Sequence, residues 1–514
     1  MDAASNGAAA SNGAAPSPQH FDVLIVGAGL SGIGAAWHLE DRRPGTSYAV
    51  LEAREDLGGT WDLFRYPGIR SDSDMHTLGY RFRPWTDSKT ITDGDSILEY
   101  VRDTAREAGI DRKIHYRHKV VRAEWSTAET RWLVEAERTD TGETVRFSCG
   151  FLWICSGYFR YDEGYTPEFE GVERFAGRVV HPQHWPEDLE YEGKRVVVIG
   201  SGATAVTLVP AMARDAEQVT MLQRSPTYVA SLPAVDPVAK LLRRILPHRA
   251  VYPIVRWKNV MIQTLVYQLS RRRPDMLRKF LRKGVERALP AGYDIDTHFE
   301  PRYDPWDQRL CAVPNGDLFR AISRGDAEVV TDRIETFTER GLQLESGREL
   351  EADVIVTATG LNLLFLGGVE VSVDGEAVDI PSRMTYKGMM LSGVPNSALT
   401  VGYTNASWTL KADLTSEYVC RLLAHMDAQG YDKCVAEVND PTVTPEPLLD
   451  FTSGYVLRSI DQLPRSGSKE PWKLRQNYVF DLRTIRRGPI DDGTMRFSRP
   501  SSVRSAAEPL EPVA

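Results

Sequence analysis

Residues 23–32 read V-L-I-V-G-A-G-L-S-G, an apolar run that leads into a glycine-rich turn. Residues 195–205 repeat the pattern as R-V-V-V-I-G-S-G-A-T-A. A short continuous apolar run is typical of a strand buried in a parallel sheet. The glycines permit a tight turn, so that the backbone approaches a pyrophosphate at the start of the next helix. The two stretches therefore predict an α/β fold with two Rossmann-like dinucleotide-binding domains.

The first domain also has an acid where a nucleotide ribose is expected. Residues 48–51 form a second apolar run, which ends in Glu52, twenty residues beyond Gly32. A carboxylate at that strand end is placed to accept hydrogen bonds from ribose hydroxyls. The alternative is a plain glycine turn that binds nothing. The residues predicted to bind this first cofactor are Gly27, Gly29, Ser31, Gly32 and Glu52.

The second domain replaces the acid by a cation. Its next apolar run, residues 219–222, is followed by Gln223, Arg224 and Ser225. An acid would repel a 2′-phosphate, whereas a guanidinium can bind it through two hydrogen bonds. We therefore expect NADPH rather than NADH, although Arg224 as an ordinary surface arginine is the alternative. The residues predicted to bind this second cofactor are Gly200, Ser201, Gly202, Ala203, Thr204, Ala205, Val206, Arg224 and Ser225.

Bulk properties narrow the class of protein. The chain has 514 residues, of which 42% are hydrophobic and 26% charged, as in an ordinary globular protein of two or three domains. A net charge of −9 argues against a nucleic-acid partner. The five cysteines show no C-x-x-C and no metal-binding spacing, which is typical of reduced cytoplasmic thiols. We expect no metal and a cytoplasmic location.

The composition also suggests domain boundaries. Residues 1–20 and 498–514 are rich in Ala, Ser, Gly or Pro and are predicted to be disordered tails. We assign residues 21–157 to the first part of one nucleotide domain and 158–361 to the other. A helical insertion occupies about 232–305, and residues 362–497 return to the first domain. No apolar run is long enough to span a membrane.

Residues 175–186, F-A-G-R-V-V-H-P-Q-H-W-P, lie between the two glycine-rich turns. They fill every fixed position of F-x-G-x-x-x-H-x-x-x-W-P/D, the pattern of the type I Baeyer–Villiger monooxygenases. Related flavin-containing monooxygenases end this motif differently. The chain resembles the Baeyer–Villiger family over nearly its whole ordered length, and within it the ethionamide-activating monooxygenases. Further matches include R-Y-P-G-I-R-S-D at residues 65–72 and V-T-A-T-G at 356–360.

The resemblance implies a function and two cofactors. Such enzymes use FAD and NADPH to form a C4a-peroxyflavin from O2, which converts a ketone to an ester. It also implies oxygenation of sulfides and thioamides. A flavin S- or N-monooxygenase of the same fold is the alternative. An NADPH-dependent reductase of disulfides or quinones is a further alternative. A disulfide reductase would need a C-x-x-C motif, which this sequence lacks. A membrane-surface binding protein without active nucleotide domains is another.

The resemblance also carries over site residues. The residues implied to contact flavin are Thr60, Trp61, Asp62, Leu63, Val120 and Asp72. Arg70, Ser71 and Asp72 are implied to face NADP. Arg309 matches the arginine that lies over the flavin, and Asp72 would orient it. The alternatives are a turn or surface acid for Asp72 and a salt-bridge arginine for Arg309. Gln308 replaces a lysine of many relatives, which softens the expected preference for NADPH.

Three further segments are open to more than one interpretation. His181 is implied to be one of the cofactor-binding residues, and to position the domains rather than to move protons. Residues 403–409 are implied to line the substrate pocket, and residues 466–478 are either a lid or, through Trp472, part of the core. Residues 238–289 are strongly basic with interleaved apolar residues. They form a helical cap with a solvated face or, alternatively, a peripheral contact with an anionic membrane.

Overall fold

The computed structural model describes residues 18–308, 310–449 and 452–499. The first domain begins with a strand that runs parallel to both of its neighbours, and the glycine-rich turn follows at the carboxyl end of these strands. Residues 23–26 of this strand are buried between two neighbouring strands, because an apolar run without alternation suits a strand covered on both faces. Its first elements are β1 (Gln19–Val26), α1 (Leu30–Arg42), β2 (Tyr48–Leu51), α2 (Thr60–Leu63), α3 (Met75–Leu78), α4 (Gly94–Glu107), β3 (Ile114–His115), β4 (His118–Ser126), β5 (Arg131–Arg138) and β6 (Thr144–Ile154).

The start of β1 corrects one expected boundary. Gln19 and His20 fall in the predicted disordered tail, yet they pair with Phe147 and Ser148 of β6. The His20 ring also forms a 3.0 Å hydrogen bond with the Ser148 hydroxyl. Backbone pairing with β6 extends β1 beyond its apolar core, which the composition of the tail does not reveal. Residues 1–17 lie outside the described residues.

The second domain is a wholly parallel sheet of five strands. Its strand order is β13-β10-β9-β17-β8, and a small antiparallel sheet of β14, β15 and β16 lies beside it. After β7 (Phe159–Gly164), its elements are β8 (Arg178–Val180), β9 (Arg195–Ile199), α5 (Ala203–Met212), β10 (Gln218–Gln223), β11 (Val229–Leu232), α6 (Pro237–Leu242), α7 (His248–Arg272), α8 (Pro274–Ala288), α9 (Ile295–His298), β12 (Cys311–Pro314), α10 (Asp317–Arg324), β13 (Ala327–Thr331), β14 (Ile334–Thr338), β15 (Gly341–Leu344), β16 (Glu349–Glu351) and β17 (Val354–Thr357).

The expected helical insertion is present as α6 to α9. Its longest helix, α7, packs on α3 of the first domain. Asp74, which caps α3, accepts hydrogen bonds from the side chains of Asn259 and Gln263 on α7. The buried Arg256 of α7 donates to the carbonyls of His76 and Gly79 at the other end of α3. The insertion is therefore attached to the first domain as well as to the second.

The chain then returns to the first domain and completes its sheet. The remaining elements are β18 (Leu361–Leu363), β19 (Glu370–Val373), β20 (Glu376–Ala377), β21 (Thr385–Tyr386), β22 (Met390–Leu391), β23 (Ser397–Leu399), α11 (Trp408–Gln429), β24 (Lys433–Ala436), β25 (Pro445–Pro447), α12 (Gly454–Leu457), β26 (Arg465–Gly467), α13 (Tyr478–Asp481) and β27 (Met495–Ser498). The sheet has the order β20-β19-β4-β5-β6-β1-β2-β3, with β23 also paired to β6. Helix α11 packs on α1, and its Asp413 carboxylate lies 2.8 Å from the His38 ring.

Two details of the closing segment settle open expectations. Trp472 is buried and packs against Tyr386 in the core of the first domain, so the core interpretation of this residue is confirmed. Ser498 was expected in the disordered tail but pairs with Lys433 as the last residue of β27.

All five cysteines are buried thiols. None of the helices in the described part of the chain has both the length and the apolar character to cross a membrane.

Candidate active site

A cleft of about 1090 Å³ lies between the two domains and is lined by both glycine-rich turns. Gly27 follows β1 and Gly200 follows β9, so the carboxyl ends of the parallel strands of both sheets face this cleft. The crevice at the carboxyl ends of the strands is where open α/β sheets bind ligands. We call this space the interdomain cleft.

The first glycine-rich turn, residues 27–32, leaves the start of α1 open. Gly27 has φ +100, and an added Cβ would lie 2.8 Å from the Cys155 carbonyl oxygen. At Gly32 a Cβ would lie 1.8 Å from the Gly27 carbonyl, so a side chain there would separate helix from strand. Gly29 caps α1 without a side-chain hydrogen bond. The first backbone N–H groups of α1 are thus available to an anion.

Glu52 braces this turn from the neighbouring strand end. Its Oε2 accepts a 2.7 Å hydrogen bond from the Ala28 N–H, and its Oε1 accepts one of 2.9 Å from the Arg54 N–H. Burial raises the pKa of the Glu52 carboxyl, while these backbone donors oppose that shift. Glu52 also lines the cleft, where a ribose is expected.

The residues implied to contact flavin separate into two groups. Thr60, Trp61, Val120 and Asp72 line the cleft. Asp62 does not, since its carboxylate lies 2.7 Å from both the Arg54 and the Arg65 guanidinium groups. Leu63 is buried in the apolar core of the second domain. These two residues therefore support the shape of the site from behind.

Arg70 and Ser71 line the cleft but are engaged with protein partners. Arg70 Nη1 lies 2.5 Å from Asp317 Oδ2, and its Nη2 donates to the Val206 carbonyl at 3.4 Å. Asp317 belongs to the first turn of α10, so this contact joins the two domains. The Ser71 hydroxyl donates to the Ser73 carbonyl at 2.8 Å. Part of the segment implied to face NADP thus holds the domains together.

The second glycine-rich turn, residues 200–205, has the same form. Gly200 has φ +137, and an added Cβ would lie 2.3 Å from the Ala358 carbonyl oxygen. Gly202 caps α5 without a side-chain hydrogen bond. Gly200, Ser201, Gly202, Ala203 and Thr204 line the cleft. Ala205 and Val206 are buried in the core and pack α5 onto the sheet.

Arg224 and Ser225 follow the carboxyl end of β10 and line the cleft, as does Gln308. The structure adds a cation that the sequence did not suggest. Strand β13 runs parallel to β10, with Thr331 opposite Gln223, so Arg333 leaves the sheet beside Ser225. Arg333 also lines the cleft, next to Asp332, whose pKa is lowered by a hydrogen bond from Ser346. Strand order decides this neighbourhood, which no local pattern encodes.

His181 lies outside the cleft lining and joins the segments that cross between domains. Its Nε2 lies 3.2 Å from the Gly360 carbonyl, and its Nδ1 accepts a 3.2 Å hydrogen bond from the Gln183 N–H. The ring is therefore neutral, with its proton on Nε2. Burial lowers the pKa of His181. A Cβ on Gly164 would lie 1.9 Å from the ring, so β7 passes directly over it.

The segment at residues 403–409, which is implied to line the substrate pocket, lies at the interdomain cleft. Tyr403, Thr404, Ala406 and Trp408 form one wall of the cleft. Trp408 Nε1 donates to the Ser31 hydroxyl at 2.7 Å, which ties this wall to the first glycine-rich turn. The Tyr403 hydroxyl donates to Asp481 at 2.7 Å, and burial raises the pKa of Tyr403.

Several residues in the cleft or behind its wall were not predicted from the sequence. Asp481 also pairs with Lys411 at 2.8 Å, which anchors Tyr403 through a buried ion pair. Tyr161 approaches the Thr60 hydroxyl at 3.4 Å, and the Arg458 guanidinium lies 3.4 Å from the Tyr165 ring centroid. Arg309 lies outside the described residues. In the described part of the chain, no group of three His, Cys, Asp or Glu residues is placed to hold a metal.

The chain is similar to known monooxygenases in sequence and in fold. The model of the family described as flavin-binding monooxygenase-like matches residues 21–401. The FAD-containing monooxygenase EthA of Mycobacterium tuberculosis strain H37Rv is 60% identical over 487 residues, 94% of this chain and 99% of EthA. A solved oxidized steroid monooxygenase bound to NADP has a TM-score of 0.73 at 22% identity and covers 94% of this chain and 100% of its own. OTEMO in complex with FAD and NADP has a TM-score of 0.66 at 22% identity, over 81% of this chain and 87% of that one.

These likenesses confirm the predicted fold class. EthA is named as FAD-containing, and the two solved proteins are bound to NADP, OTEMO together with FAD. The two turns fit such groups on their own geometry. Each leaves the N–H groups of a helix start without a side-chain cap, and the two differ in the charge at the adjacent strand end. Glu52 suits the ribose of FAD, whereas Arg224 suits the 2′-phosphate of NADPH.

Proposed function

The chain belongs to the flavin-binding monooxygenase-like family, and from that membership we propose that it is a Baeyer–Villiger monooxygenase. It is a flavoprotein monooxygenase that depends on FAD and NADPH. The proposed reaction converts a ketone, O2, NADPH and a proton to an ester, NADP+ and water. One oxygen atom enters the bond beside the carbonyl, and the other leaves in water.

The observation that carries this proposal is the motif at residues 175–186, in which the fixed positions Gly177, His181 and Trp185 contact the second domain or the segment that leads back to the first. Gly177 allows close packing, since a Cβ would lie 2.4 Å from the Asp353 carbonyl. His181 binds Gly360, and Trp185 packs against the core of the second domain. Gln183 Nε2 donates to the Arg160 and Tyr161 carbonyls at 2.9 and 3.0 Å. The motif therefore orients β7 and β18, the strands that connect the domains.

Bound FAD, once reduced by NADPH, supplies the activation of O2. The protein's own part is to bind, orient and shield. The open starts of α1 and α5 would hold the pyrophosphates, with Glu52 on a ribose and Arg224 on the 2′-phosphate. The ion pair of Arg70 with Asp317 would keep the two sites at a constant distance. Enclosure of the cleft would exclude water from the reacting atoms.

We assign the fixed positive charge that this reaction needs to Arg309. A guanidinium remains protonated at every working pH and stabilises negative charge that develops on oxygen. Asp72, which lines the cleft, would orient that charge through a charge-assisted contact. His181 would act as a positioning residue, because both of its ring nitrogens are occupied by backbone groups.

Soft sulfur compounds are the second proposed substrate class. Tyr403, Ala406 and Trp408 present a wall of aromatic and small side chains that suits apolar ketones, sulfides and thioamides alike. Transfer of one oxygen atom to sulfur gives an S-oxide, with the same consumption of O2 and NADPH. A flavin S- or N-monooxygenase that does not form esters is the competing function.

The test is product analysis by mass spectrometry with purified protein, NADPH and O2. 2-Dodecanone and phenylacetone serve as ketones, and a thioamide serves as the sulfur substrate. We expect esters from the wild type and none from Arg309→Ala, which should still oxidise NADPH. The exposed Arg302→Ala serves as the matched control and should form ester normally. S-oxide without ester from either ketone would assign the protein to the competing function, and ester from Arg309→Ala would remove Arg309 from its role.

A further inference from the structure

The outer surface of α6, α7 and α8 carries large apolar side chains that no described part of the protein covers. Ten of the fifteen large apolar residues that are exposed in the described chain fall within residues 237–290. The most prominent are Leu241, Ile245, Trp257, Met261, Leu265 and Phe280, which are between 47% and 75% exposed. We propose that this surface, the insertion face, docks the protein onto an anionic lipid bilayer.

Helix geometry places the apolar residues of α7 on one side. Ile254, Trp257, Met261 and Leu265 follow spacings of three and four residues, so they share a face. The opposite side of α7 is buried against the first domain through Tyr252 and Arg256, and Val255 packs against α6. The helix thus has two apolar sides, and only one of them packs against the rest of the protein. An exposed apolar patch of this kind marks a docking surface.

The charge of this region identifies the partner. Residues 237–290 contain fourteen Lys and Arg against Asp275 and Glu286 in a chain whose net charge is −9. Lys258, Arg271 and Arg282 pair with carboxylates outside this range, but basic residues remain in excess. On α8 the basic residues alternate with apolar ones, as Met276, Lys279, Phe280 and Lys283 share one face. Lys279 and Lys283 have no carboxylate partner within the described residues. Apolar side chains flanked by free cations match acyl chains beneath anionic headgroups.

A second copy of this chain is the competing occupant, and the charge argues against it. Two insertion faces packed on each other would bring like charges such as Lys279 and Lys283 together, whereas an anionic bilayer neutralises them. No helix of the described residues crosses a membrane, so the contact would be peripheral.

The insertion face is also tied to the wall of the cleft. The Trp257 ring lies 6.2 Å from Tyr478, and Tyr478 lies 6.4 Å from Tyr403, a cleft residue. Val260 and Thr264 of α7 share a small cavity with Asn405 and Ala406. Docking would therefore place this wall near the bilayer. The consequence that bilayer-dissolved ketones reach the site rests on the proposed function, whereas docking itself does not.

The test is flotation of the FAD-loaded protein with vesicles, without substrate. We expect binding to vesicles of phosphatidylcholine with phosphatidylglycerol, little binding to phosphatidylcholine alone, and release as salt rises from about 0.1 to about 0.5 M. The double variant Leu265→Ser, Phe280→Ser should bind at least about tenfold more weakly, because two exposed apolar side chains leave the acyl region. The variant Lys279→Gln, Lys283→Gln should weaken binding only at low salt.

A matched double variant, Val172→Ser with Val438→Ser, removes two exposed apolar residues elsewhere and should bind normally. Bound FAD and NADPH oxidation in solution should be unchanged in every variant, which separates a failure of docking from a failure of the proposed function. No wild-type binding to anionic vesicles, or equal binding by the Leu265→Ser, Phe280→Ser variant, would overturn the proposal. A change from dimer to monomer in that variant by sedimentation velocity would assign the face to a second copy instead.

Discussion

Arg70 Nη1 lies 2.5 Å from Asp317 Oδ2, and the two side chains are only 13% and 14% exposed. Arg70 belongs to the FAD domain, and Asp317 opens helix α10 of the NADPH domain. Hydride transfer requires the two bound cofactors to come into contact. A nearly buried ion pair between the domains fixes their relative position, on which turnover would therefore depend. Removal of Asp317 would leave the charge of Arg70 without its ion-pair partner.

We therefore expect Asp317→Ala to lower the free energy of unfolding by about 2–4 kcal/mol, since it leaves a nearly buried charge unpaired. NADPH oxidation should also become less coupled to product, because the domains lose a fixed contact. Thermal unfolding and the ratio of hydrogen peroxide to ester measure the two effects. The control is Asp326→Ala, which removes an exposed partner of Arg324 just after the same helix. Equal losses in both variants would show that Asp317 matters only to the helix.

Glu52→Gln tests the FAD site. The two oxygens of Glu52 accept from the N–H groups of Ala28 and Arg54, and an amide can replace only one of them. We expect FAD to bind roughly 10- to 150-fold more weakly, as for the loss of a charge-assisted hydrogen bond of about 1.5–3 kcal/mol. Fluorescence titration of the apoprotein with FAD measures this. Glu55→Gln, at an exposed neighbouring position, should bind FAD as the wild type does.

His181 gives a prediction with a defined pH direction. Its folded-state pKa is lowered by burial, so the unfolded chain takes up a proton first as the pH falls. Stability from His181 is therefore complete above its ordinary pKa of about 6.5 and is lost as the pH falls through the folded-state value. Protonation of Nδ1 would break the hydrogen bond from the Gln183 N–H.

We expect the difference in unfolding free energy between wild type and His181→Gln to be constant above about pH 7 and to shrink below about pH 6. Denaturant titrations at several pH values measure it. His184→Gln, at an exposed position of the same motif, controls for loss of a histidine alone. A difference that does not change with pH would mean that the imidazole at position 181 has the same pKa in the folded and the unfolded state.

Whether a feature could be predicted depended on how far apart its residues lie in the sequence. The turns after β1 and β9 were predictable because an apolar run, its glycines and the next helix are contiguous. Glu52 and Arg224 were predictable because they end the next strand of each unit. The partner of Arg70 was not, since Asp317 lies 247 positions away and only the docking of the domains brings it near. Arg333 depended on strand order in the same way.

Composition was the other source of error. The polar residues Gln19 and His20 resemble the preceding tail, yet backbone pairing with β6 requires no particular side chain. Trp472 could not be assigned from its type, because an aromatic residue suits a mobile lid and a core equally well. The pair of Lys411 and Asp481 was invisible for a different reason. Two charges that are buried together look, in sequence, like two surface residues.

Arg224→Ala tests how the enzyme selects NADPH. Because Arg224 and Arg333 leave adjacent parallel strands at the cleft, both cations are available to a 2′-phosphate, and Gln308 adds none. We expect Arg224→Ala to raise the KM for NADPH about 10- to 100-fold while that for NADH stays constant, because only NADPH carries the phosphate. Adding Arg333→Ala should abolish the remaining preference. Arg214→Ala, exposed before β10 at the opposite end of that strand, should change neither constant. Equal increases in both KM values would mean that Arg224 shapes the site rather than reading the phosphate.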